Sequence, residues 1–191
     1  MVQKFLMLDK DVKWNIWHLE DEDTQLSRRN FLRSLCAYYE YVLENLQSHV
    51  AELLYDQFRH KEEKIQPKDL LKIFPLLDST IRINERGTYQ IEPNKLPFIS
   101  LVAYTFKTFS ELANVKDPLA DQRWKDFCQA IKIRNRITHP KQSEEINISD
   151  LELQQIFRSR EWWLENVNTI YSFKDSSPEK SNNDVLEEKP L

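Results

Sequence analysis

From Asp23 towards His60, apolar and aromatic residues recur in steps of three and four: Phe31, Leu32, Leu35, Tyr38, Tyr39, Val42, Leu43, Leu46, Val50, Leu53 and Leu54. A period held that long predicts one long amphipathic helix ending near His60. The acidic cluster Glu20–Asp23 followed by Thr24 supplies its start. Carboxylates and a capping hydroxyl suit the unpaired amides of a first turn. The same period predicts a second helix from about Pro97 to Asn114. A third follows Pro118 and carries Trp124, Phe127, Cys128, Ile131 and Ile137. It should stop at His139, because Pro140 disfavours helical geometry in the residue before it. A last helix, capped by Ser149 or Asp150, runs to about Phe173 with a stripe of Leu151, Leu153, Ile156, Trp163, Leu164, Val167 and Ile170.

Between the first two helices the pattern changes. Lys61–Pro67 reads as a charged connector, and Lys68 to about Leu77 as a short helix bent at Pro75. Thr80–Ile83 and Thr88–Ile91 flank Asn84-Glu85-Arg86-Gly87, which predicts a peripheral β-hairpin with Gly87 at a positive φ. At the N-terminus Val12, Trp14 and Ile16 fall at period two, so residues 1–22 are expected to form a strand or extended arm. Lys174–Leu191 has little to bury and is expected to be disordered. The expectation is an all-α bundle in one domain, residues 1–173, with one long first helix and a small hairpin.

Composition narrows the chemistry. Gly87 is the only glycine in 191 residues, so neither G-x-G-x-x-G nor a P-loop can be built. The formal net charge of −4 argues against a protein that coats polyanions generally. Cys36 and Cys128 lie far apart outside any C-x-x-C pair and are expected to be reduced core thiols. With no signal-peptide pattern and no long apolar run, a soluble cytoplasmic protein with no membrane contact is expected. The scattered histidines offer no metal-ligand spacing, and His18, His49 and His60 have no partner pattern. No cofactor is expected.

One window stands out against the acidic background. Lys132, Arg134, Arg136 and Lys141 place four cations in ten residues with no acid among them. Arg134 and His139 are separated by about 140° on an ideal helix, and can converge if the helix unwinds at His139. A guanidinium can hold a phosphate bidentately. An imidazole can move a proton to or from a 2′-hydroxyl or a leaving oxygen, and Asn135 can fix the geometry through its amide. The alternative is a helix C-terminus where cations meet the macrodipole.

Arg134-Asn135-x-x-x-His139 at a helix end, in an all-helical chain, resembles the HEPN superfamily (higher eukaryotes and prokaryotes nucleotide-binding). Arg28-Arg29-Asn30-Phe31-Leu32-Arg33 and Ala37-Tyr38-Tyr39-Glu40 are similar to the opening helix of several prokaryotic HEPN groups. The resemblance covers about residues 24–172. It implies a homodimeric helical bundle whose two R-x4-H sequences share a cleft, and metal-independent RNA cleavage by 2′-hydroxyl attack. Arg134 would hold the scissile phosphate, His139 would transfer a proton, and Asn135 would support them. Glu40 would orient one of them or be an ordinary interhelical glutamate. Lys132, Arg136 and Lys141 would contact RNA.

Such proteins often act as toxins or antiviral effectors beside an antitoxin or defence partner. The alternative is a non-catalytic HEPN dimer that binds RNA, a nucleotide or a protein. A third reading is a helical scaffold in which the basic helix end is only structural. Arg28, Arg29 and Arg33 either extend a positive strip or form a solvated helix start. The five tryptophans read as core or interface rather than base-stacking platforms. Adjacent Trp162 and Trp163 point in different directions on a helix, leaving one for a subunit contact.

Overall fold

The computed structural model describes residues 2–60, 71–77, 79–93 and 96–173. The connector and the tail expected at 61–67 and 174–191 lie outside them. The described chain is mostly helical, with α1 at Val2–Asp21, α2 at Gln25–His60, α3 at Phe98–Ala113, α4 at Gln122–Thr138 and α5 at Asp150–Ser172.

The N-terminal arm is the main correction, because it is helix α1. Leu8, Val12, Ile16 and Leu19 turn inward at steps of four, four and three, and α1 packs along α2. The alternation of Val12, Trp14 and Ile16 misled because Trp14 is 58% exposed and belongs to the outer face. There it clusters with Trp17 and His18, with ring centroids 4.6 to 5.2 Å apart. An Asp9–Lys13 pair at 2.7 Å spans one turn of the solvent side.

α2 begins where Thr24 and Ser27 exchange backbone-to-hydroxyl bonds of 2.9 and 3.2 Å, a reciprocal cap. It runs about 54 Å and contacts α1, α3, α4 and α5. Its broad apolar surface follows from this central place: Tyr38 meets Phe5 of α1 at 5.7 Å, while Tyr39 meets Trp163 of α5 at 4.6 Å.

Of the short helix expected from Lys68 to about Leu77, residues 68–70 lie outside the described residues, and 71–77 hold a 3₁₀ turn, Phe74–Leu76, with Pro75 in its first positions. Proline cannot supply the amide a continuing helix needs there. β1 (Ser79–Ile83) and β2 (Tyr89–Pro93) pair antiparallel, with Ile81 opposite Ile91. Gly87 has φ +73. Asn84 closes the turn: its carbonyl accepts from Gly87 N, and its Oδ1 accepts from Arg86 N and Thr88 N.

α4 and α5 form the most extensive helix pair. Arg123–Glu165, Asp126–Arg158 and Arg136–Glu152 bridge this antiparallel hairpin along its length. Trp162 and Trp163 are both fully buried, so neither is left for a subunit contact. α5 is covered on two sides, and Phe106 of α3 lies 5.2 and 5.5 Å from the two rings. Phe127 of α4 stacks on Trp163 at 5.5 Å. Both cysteines are free thiols. Among the described residues no helix is long and apolar enough to cross a membrane.

Candidate functional site

α4 carries the basic window, and its two ends are chemically fixed. Asp121 caps the start, its carboxylate accepting from Arg123 N at 2.8 Å. At the other end the His139 amide still donates to the Asn135 carbonyl at 3.0 Å. The backbone of His139 has nevertheless left the helix, at φ −128 and ψ 59. Pro140 accounts for that departure. Thr138 Oγ1 donates to the Arg134 carbonyl at 2.7 Å and finishes the last turn.

Arg134 faces α2. Its Nη2 donates to Glu40 Oε1 at 2.9 Å, and its Nη1 to Asn135 Oδ1 at 3.2 Å. A guanidinium has five N–H donors, so these two acceptors orient it without exhausting it. Because the Asn135 oxygen is turned to Arg134, its amide NH₂ is left to donate elsewhere. Asn135 precedes His139 by one helical turn. The His139 side chain is exposed and makes no hydrogen bond among the described residues.

Below this group, one turn before Glu40, lies the buried Cys36. Burial pushes its thiol up to about 12, Arg134 opposes the rise and Glu40 adds to it. A thiol held protonated at neutral pH is no nucleophile. Among the described residues no three His, Cys, Asp or Glu side chains converge as a metal site.

The remaining cations divide. Lys132 and Lys141 are exposed, and Lys141 N donates to Glu145 Oε2 at 2.8 Å, shaping the loop after the helix. Arg136 is committed elsewhere: Nη1 pairs with Glu152 at 2.9 Å, and Nη2 donates to the Asn147 carbonyl at 2.8 Å. Its Nε is buried without a partner among the described residues. Arg136 therefore clasps the start of α5 instead of standing beside Arg134. Arg28 is likewise structural, holding Asp23, Asp150 and the Ile148 carbonyl together. Arg33 is exposed and lies two turns before Glu40, on the same stripe of α2.

No family matches. Compared with known proteins, the chain is matched by no family model, no curated protein and no solved structure.

Sequence reasoning passed over Gln47. It lies two turns beyond Glu40 on α2, is 5% exposed, and lines a groove of about 300 Å³ with Glu40, Glu44 and Phe98. Its signal was present: a polar residue set between Leu46 and Val50, in the buried register of the long helix.

Proposed function

We propose that the chain is a metal-independent endoribonuclease of HEPN type, acting as a homodimer. The observation that supports this best is the arrangement of Arg134. A guanidinium held by Glu40 and Asn135 keeps free donors in the helix that ends, five residues later, on an exposed histidine. In the proposed reaction Arg134 holds a non-bridging phosphate oxygen and balances charge that grows on it. The 2′-hydroxyl oxygen bonds to phosphorus as its proton passes to the His139 imidazole. The bond to the 5′-oxygen breaks, and that oxygen takes a proton from solvent or from the second imidazole of the dimer. Products are a 2′,3′-cyclic phosphate and a 5′-hydroxyl. Lys132, Lys141 and Arg33 would steer the strand electrostatically. A toxin or antiviral role with a cognate partner goes with this reading.

The test is cleavage of a broad RNA panel in EDTA with end-group analysis. Cyclic phosphate ends in the parent, absent in Arg134→Ala and His139→Ala, are expected. A folded parent that cleaves nothing would overturn the proposal.

One observation favours a second reading, a non-catalytic module that binds RNA, a nucleotide or a protein partner. The Arg134 charge is already balanced by Glu40. On that reading the parent binds RNA without turnover, and the same two variants lose binding.

A further inference from the structure

The groove beside Arg134 has a composition that a phosphate site alone does not require. Glu40, Glu44 and Gln47 occupy one stripe of α2, and from Glu40 to Gln47 is about 10 Å along the axis. Leu43 and Leu101 supply apolar surface, Leu77 lines the side formed by the 3₁₀ turn, and the Phe98 ring comes from the start of α3. Gln47 has nine-tenths of its surface covered, yet its amide makes no hydrogen bond among the described residues. What remains accessible of it opens into the groove. Its amide atoms are not among the buried polar atoms left without a partner, so they reach the groove and are open to a ligand there.

We propose that this groove is a nucleobase subsite for guanine, the base of the nucleotide whose phosphate Arg134 holds. The inference rests on the reading of Arg134 as a phosphate ligand. A base is planar, with apolar faces that stack on an aromatic ring and a polar edge to be read. Gln47 offers both an N–H donor and a carbonyl acceptor. Glu44 offers acceptors only, and guanine places two adjacent donors, N1–H and N2–H, opposite a carboxylate. Uracil lacks that pair. The carboxylates also repel a phosphate from the groove itself. The phosphate is therefore directed to Arg134 and the base inward, within the span of one nucleotide.

The experiment is NMR titration of the ¹⁵N-labelled full chain with the 5′-monophosphates of guanosine, adenosine, cytidine and uridine, and with guanosine. Guanosine monophosphate should shift the Gln47 side-chain amide signals and bind at least about tenfold more tightly than uridine monophosphate. Gln47→Leu and Glu44→Gln should each weaken it by about tenfold while backbone dispersion is kept. Since Glu44 is exposed, its variant serves even if the Gln47 variant fails to fold. Arg134→Ala should erase the advantage of the monophosphate over guanosine and spare guanosine binding. An unmoved Gln47 amide, or equal affinity for all four bases, overturns the subsite. Guanosine binding by a protein that cleaves no RNA would sink the endoribonuclease and support the subsite. Cleavage without any guanosine response would do the reverse.

Discussion

At Arg134 a single guanidinium meets a carboxylate from one helix, an amide from its own helix and, in the proposed reaction, a phosphate. Only a planar fork can do this, so Arg134→Lys should be as inactive in RNA cleavage as the alanine variant. On the proposed reading Glu40, paired with Arg134, acts through it as a positioning residue. Glu40→Ala should lower kcat about ten- to hundredfold with KM nearly unchanged. Glu40→Gln, which still presents an acceptor oxygen, should recover most of that loss. A faster Glu40→Ala variant would mean that the carboxylate competes with the phosphate. The end of α4 at His139 was legible in the sequence, because Pro140 follows it. The Glu40 contact was legible only as an alternative, since a lone exposed glutamate in a long helix carries no mark of its partner. The Gln47 groove was not legible, because α2, a 3₁₀ turn and α3 build it from distant parts of the chain.

Helices α2 to α5 could be read because each has a chemical boundary: Thr24, Pro97, Pro118 or Ser149 at the start, and Asn114 or Pro140 at an end. α1 could not, because three alternating residues outweighed a helical face spread over twelve. The capping box of α5 is the most exact of these boundaries. Ser149 Oγ accepts from Glu152 N, and Glu152 Oε2 accepts from Ser149 N at 2.9 Å. Ser149→Ala should cost about 1 kcal/mol in urea unfolding. Glu152 also holds Arg136, and its carboxyl lies below the ordinary value: desolvation raises it, but Arg136 and the Ser149 amide outweigh that. A depressed carboxyl stabilises the fold above the unfolded-state value of about 4.3. That contribution is lost as pH falls through the folded-state value. Urea midpoints should therefore drop on acidification below that range, and drop less in Glu152→Gln. An unchanged acid slope in the variant would remove Glu152 from this role.

For the molecule as a whole, α2 is the spine on which the other helices lean, and its start meets the α4–α5 joint at one residue. Ile148 is buried in the loop before α5. Gln25 at the foot of α2 donates to its carbonyl at 3.0 Å and accepts from its amide at 2.7 Å. Arg28 adds a third bond to the same carbonyl. The span from His139 to Asn147 is thus rooted at its far end while its near end carries the exposed imidazole. That arrangement sets a gradient in time as well as space. The Ile148 amide, though in a loop, should exchange its hydrogen about as slowly as the core of α2, and Gln25→Ala should speed it by orders of magnitude. The exposed amides of Ser143 and Glu144 should exchange early whatever happens to Gln25. The histidine would then explore its surroundings rapidly from an anchored base, its search confined by a clasp more than a hundred residues away in the chain.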